Sequence, residues 1–199
     1  MGDWLSPALL EEDAVYLGVL TAWGVKPLSR LEYSVKPWVL TLFRRMALVT
    51  ASVTRYAANG TPLHHLVFSR DAQLVEQYRA EFDQRKLEGE TARLVRREAY
   101  YFGYPPCCAE EYICTPDAPN DLPPADQTLL FHRACSGCVV TPRLLPLYRA
   151  ALAEAKRICR HVSSHPWLSS ETFFSGLSAP DHIEGCIMGN KAISYLTRA

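Results

Sequence analysis

Two pairs of cysteines constrain this chain more than any other feature: Cys107-Cys108 in YFGYPPCCAEEY and Cys135/Cys138 in FHRACSGC. Four thiols grouped two by two match the ligand count of a tetrahedral metal ion or of an iron–sulfur cluster. If one centre takes all four, the stretch 109–134 must loop out and return, so that segment 103–138 closes on itself.

At 199 residues the chain suits a single compact domain spanning 1–199, long enough to bury a substantial core. A metal is therefore not needed merely to make it fold. Lys+Arg (21) balances Asp+Glu (21), which argues against duplex DNA or an anionic membrane as the main partner. A small-molecule substrate or a protein partner fits better. Glu11, Glu12 and Asp13 interrupt the first helical pattern, unlike a secretory leader. The run AVYLGVLTAWGV is too short to span a membrane, and Arg44 and Arg45 cut the tract around Trp38. The expected compartment is cytoplasmic, where seven cysteines point to metal binding or redox work rather than to a disulfide framework.

Helical periodicity dominates the pattern. Ser6-Pro7 predicts a helix start, with Gly24 as the stop after Trp23. A second helix is expected from Pro37 through WVLTLFRRMALVTASVTRYAA to Asn59-Gly60, apolar around most of its circumference and so central. LHHLVFS reads as a short strand or an extended loop. Residues 71–101 read as two helices broken at Gly89, Pro142 opens another long helix, and GCIMGNKAISYLTR suggests a final one. The predicted fold is mostly α: one helical domain, at most one short strand, and a Pro-rich loop CTPDAPNDLPPAD between the cysteine pairs.

Gly103 ends a helix and Pro105-Pro106 starts the next, which places Cys107 and Cys108 in a first helical turn. Free N–H groups and the positive end of the dipole there favour thiolate over thiol. Adjacent helical residues point about 100° apart, so one ion would take both thiolates under strain, whereas a cluster could use separate iron corners. ADQTLLFHRAC reads as helical, putting His132 and Cys135 on one face, with Cys138 beyond the Ser136-Gly137 turn. CxxC is a chelating spacing, and His132 is either an extra ligand, a proton donor or a half-buried helix histidine.

The stretches GYPPCC (103–108) and HRACSGC (132–138) resemble a little-studied set of microbial proteins that carry GYPxCC followed by HxxCSxC. The resemblance implies that the glycine-proline turn and the four cysteines act together. It brings no activity with it.

Three chemistries compete for the cysteines. A metal centre, either zinc or a 4Fe-4S cluster, would use Cys107, Cys108, Cys135 and Cys138. Thiol redox or persulfide transfer would use one pair, although no βαβ pattern surrounds the CxxC. Otherwise they are small buried hydrophobes. Substrate-binding candidates beside the centre are Tyr101, Tyr104, Arg97 and Arg133. Their plainer readings are aromatic packing at a helix end (Tyr100, Tyr101, Phe102, Tyr104) and a solvated face in which Arg93, Arg96 and Arg97 pair with Glu90 and Glu98. His64-His65, His161 and His165 near Cys159, and Asp181, His182, Glu184 and Cys186 are weaker metal or catalytic groupings, and Cys114 has no assigned part. Two functions follow: an enzyme acting on a small substrate at an open four-cysteine centre, or an adaptor module with a closed structural zinc.

Overall fold

The computed structural model describes residues 7–87 and 91–164. The elements run α1 (Pro7–Ala22), β1 (Leu28–Leu31), α2 (Pro37–Arg45), β2 (Val49–Tyr56), β3 (Pro62–Ser69), α3 (Ala72–Phe82), β4 (Arg85–Lys86), α4 (Ala92–Phe102), α5 (Pro106–Cys114), α6 (Pro124–Gln127) and α7 (Thr141–Ser164). The four strands form one sheet ordered β1-β3-β2-β4, antiparallel except for the parallel β2–β4 pair. This sheet overturns the mostly α expectation. The architecture is α/β, with helices on both faces of the sheet.

The departure from a helical pattern begins at one segment. The expected long second helix stops at Arg45, where Met46 caps it and Ala47 takes a positive φ of 56°. Beyond that point Val49, Thr50, Val53 and Thr54 are β-branched, and they pack better on a pleated surface than on a helix. Asn59-Gly60 is then a hairpin turn rather than a helix stop. Gly60 has φ 82°, Asn59 Oδ1 accepts from the Thr61 N–H at 3.0 Å, and β3 returns along β2 from Pro62↔Tyr56 to Ser69↔Val49. LHHLVFS is the body of β3, paired on both sides.

Strand alternation sorts the core into two layers. Leu31 and Phe68 face α1, α2 and α7, where Phe43 stacks against Phe68 at 4.4 Å between ring centroids. Leu28, Val53 and Val67 face α3 and α4 and meet Val75, Tyr78, Phe82, Tyr101 and Phe102. Burying each such large side chain contributes about 1.5–3 kcal/mol. The central helix is α1 rather than α2: Ala14, Val15, Tyr16, Leu17, Val19 and Leu20 are all buried. Gly18 lets α2 approach, since a Cβ there would lie 2.5 Å from the Phe43 ring.

Other boundaries agree with the sequence reading. Gly24 (φ 73°) follows α1, Gly103 (φ 68°) caps α4, and the long helix α7 begins beside Pro142. The span 71–101 holds α3 and α4 as expected, with the two-residue strand β4 between them. ADQTLLFHRAC is not a helix through its length. Only its first three residues, Ala125 to Gln127 at the end of α6, are helical, and His132 to Cys138 form an irregular loop. The final helix expected over 185–198 lies outside the described residues.

Candidate metal centre

The four cysteines converge. α5 begins at Pro106 because Pro105-Pro106 cannot continue α4, and it carries Cys107 and Cys108 in its first turn. Cys135 and Cys138 sit in a tight loop just before α7, where the Cys138 N–H bonds the Cys135 carbonyl at 3.3 Å and Gly137 takes φ 65°. Two carboxylates fix that loop: Glu111 Oε1 accepts from the Ser136 N–H at 2.8 Å, and Asp121 Oδ2 from the Gly137 N–H at 2.9 Å.

All four sulfurs lie within 4.8 Å of one another, close enough to bind a metal. Individual separations are 3.8 Å for Cys107–Cys138, 3.7 Å for Cys108–Cys135 and 3.6 Å for Cys108–Cys138. The divergence expected between adjacent Cys107 and Cys108 does not keep their sulfurs apart, since both belong to the set within 4.8 Å. Cys107 is exposed, whereas Cys108 and Cys135 are buried.

Two backbone N–H groups are aimed at sulfurs, as in a thiolate site. The Cys135 N–H points at the Cys108 sulfur at 3.3 Å, and the Thr141 N–H at the Cys138 sulfur at 3.3 Å. The Thr141 hydroxyl lies 3.3 Å from the Cys138 sulfur and 3.2 Å from His132 Nε2. Burial opposes the Cys138 thiolate, but the Thr141 hydroxyl and the Thr141 and Val140 backbone outweigh it and bring this thiol down to about 7. Cys108 moves the other way. Burial raises its thiol, opposite to the lowering expected for a cysteine in the first turn of a helix. Cys135 is pushed up to about 12 by burial and by the neighbouring Cys107 thiol.

His132 is not a fifth member of the sulfur cluster. Burial and the nearby Lys26 ammonium lower it to about 4, so the ring is neutral, tilted against Tyr104 at 5.0 Å between centroids. Its contact to the centre runs through Thr141. Thr141 and the two loop carboxylates carry no distinctive sequence signature; the one signal is a threonine before Pro142 at the start of the long helix, three residues after Cys138.

Of the substrate-binding candidates, Tyr104 and Arg133 line a cavity of about 280 Å³ with Cys108, Tyr112 and His132. Arg133 also donates to the carbonyls of Asp117 and Ala118, tying down the Pro-rich loop. Tyr101 and Arg97 are elsewhere: Tyr101 is buried beneath α3, and both it and Arg97 bond Glu81. Glu98 pairs with Arg30 and Arg55 and Arg96 with Glu110, rather than with one another along α4.

The remaining candidates do not assemble. His64 is exposed on β3 beside Thr54, while His65 is buried on the opposite face, as adjacent strand residues must be. Cys114 is exposed at the end of α5, and Cys159 and His161 lie on α7 apart from any ligand cluster among the described residues. His165, Asp181, His182, Glu184 and Cys186 lie outside the described residues. No described helix is long and apolar enough to cross a membrane. Searches against family models, curated proteins and solved structures find no match to this chain.

Proposed function

We propose that Cys107, Cys108, Cys135 and Cys138 bind one zinc ion in a closed tetrahedral site that locks the loop 115–134 onto α5 and α7. The observation that carries this is the sulfur spacing. Four thiolates at about 2.3 Å from one zinc stand about 3.8 Å apart along the edges of the tetrahedron. The closest pairs, at 3.6 to 3.8 Å, match that edge. A 4Fe-4S cubane places each thiolate on its own iron at a separate corner, which needs wider spacing than a set confined within 4.8 Å. In this reading the chain is a binding module whose metal-pinned loop forms a surface for a partner.

Metal analysis of protein purified without oxygen, with the visible spectrum of the cobalt-substituted form, tests this. One zinc per chain and an intense thiolate–cobalt absorption, both lost in Cys135→Ser, are expected. Brown protein containing iron and sulfide would instead establish the cluster.

The cavity beside Cys108 favours a second reading, an enzyme that acts on a small substrate next to the ion. Catalytic zinc needs an open coordination position. Cys107 is the exposed thiol, so Cys107→Ser separates the two. An enzyme keeps its zinc on three ligands, whereas the closed site loses the ion and its loop loses protection from proteolysis.

A further inference from the structure

A second site candidate lies at the β4 edge of the sheet, away from the cysteines. A groove of about 700 Å³ is lined there by Arg55, Arg85, Lys86, Arg93 and Arg97, opposed by Glu81.

The register of the sheet creates the charge. Arg55 of β2 and Arg85 of β4 are direct partners, so both side chains leave the same face of the sheet, and both line the groove. Like charges in that relation are destabilising unless something negative lies between or above them. Arg55 is only 3% exposed, its Nη1 bonds a Glu98 oxygen that Arg30 also uses, and its Nε has no partner. One carboxylate thus serves two arginines, and a buried donor is left over. Arg97 is held by Glu81, but Arg85, Lys86 and Arg93 form no ion pair among the described residues. The N-terminus of α4, capped by the Thr91 hydroxyl on the Leu94 N–H at 3.2 Å, borders the same groove and adds its positive dipole end.

We infer that this groove binds a small phosphate-bearing ligand with a charge like that of pyrophosphate. Several arginines lining one groove beside a helix N-terminus suit phosphate oxygens better than a single carboxylate. The volume falls in the range of small-molecule sites. Arg55 lies too deep for the backbone of a duplex to reach, and the neutral balance of the whole chain lacks the broad positive field of a nucleic-acid binder. The inference does not depend on the metal centre.

Calorimetric titration of the full, metal-replete chain with sodium pyrophosphate tests it. Saturable one-to-one binding is expected, weakening with ionic strength. It should fall by about tenfold or more in Arg85→Ala and in Arg93→Ala, each of which removes an exposed cation and leaves the core intact. Unchanged melting of both variants would show that the loss is local. Absence of saturable binding, or equal affinity in both variants and the parent chain, overturns the inference. A single-stranded DNA oligonucleotide that binds here and is not displaced by pyrophosphate also overturns it, in favour of nucleic acid.

Discussion

Thr141 holds Cys138 with two groups at once: its hydroxyl accepts from the Cys138 thiol at 3.3 Å and can turn to donate once that thiol ionises, and its N–H points at the same sulfur at 3.3 Å. The first residue of α7 therefore prepares a thiolate before any metal arrives. Replacing it with valine keeps the shape and the N–H but removes the hydroxyl. Thr141→Val should raise the pKa of Cys138, seen as slower alkylation of the metal-free protein near neutral pH. It should also weaken zinc by about 10–100-fold in chelator competition, the usual cost of losing a group that supports a ligand. Equal zinc affinity in the two proteins would remove Thr141 from the site.

Zinc binding should weaken steeply on acidification. Without metal, burial holds the Cys108 and Cys135 thiols protonated, with Cys135 at about 12, while Cys138 titrates near 7. Binding all four as thiolates must expel the protons of at least Cys108 and Cys135 at pH 8, and of more Cys138 as pH falls through 7. Zinc affinity therefore rises with pH, and its slope steepens below pH 7. Calorimetry in buffers of different ionisation enthalpy reads the proton count directly. Release of no protons at pH 7 would contradict a site made of these thiols.

The cysteine centre was legible because its signals are local: a proline stop, a helix start and a CxxC spacing need no knowledge of the fold. The sheet was not, because Val49–Tyr56 continues an apolar run that also satisfies a helical period, and only the β-branched residues and the hairpin at Asn59-Gly60 mark the change. Reading Asn59-Gly60 as a helix stop rather than a hairpin turn hid β2, and with it the partner that makes β3 a strand. His132 was misplaced for a similar reason. ADQTLLFHRAC has helical composition, but Gln127 instead closes the loop, donating to the His132 carbonyl at 2.8 Å and accepting from the Ala134 N–H at 3.3 Å. The arrangement of Arg55 beside Arg85 depends on strand register and had no signature in the sequence.

Two glycines near the centre should respond differently to alanine. Gly103 has φ 68°, and a Cβ there would fall 2.5 Å from Pro27 Cδ, whereas Gly137 has φ 65° with no atom within 4 Å of that position. Both substitutions incur the left-handed backbone cost of about 1–2 kcal/mol. Gly103→Ala adds a clash with a rigid ring at the turn that aims α5, so it should lose more stability and also loosen zinc. Chemical denaturation of the two variants, with and without zinc, measures the difference. Equal losses would mean that the Pro27 contact relaxes freely.

The burial of Lys26 should be visible in the pH dependence of stability near neutrality. Its side chain is buried, its Nζ donates to the Phe102 carbonyl at 2.9 Å, and the ammonium lies 4.5 Å from the Tyr104 ring centroid, with no carboxylate paired to it among the described residues. Burial lowers its pKa to about 7, against an ordinary value of 10.5 in the unfolded chain. Between those values the unfolded state holds one more proton than the folded state, so stability rises with pH across this window, by at most about 1.4 kcal/mol per pH unit. Below pH 7 both states are protonated and the contribution is flat, with the full penalty of a buried cation present. Lys26→Met removes the titrating group at similar length and leaves the Phe102 carbonyl without its donor, a cost of about 1 kcal/mol that does not vary with pH. Denaturation midpoints from pH 6 to 9.5 should therefore climb in the parent chain and lose that component in Lys26→Met. Parallel curves would mean that the Phe102 carbonyl and the Tyr104 face hold the ammonium charged throughout, and that its pKa stays near the unfolded value.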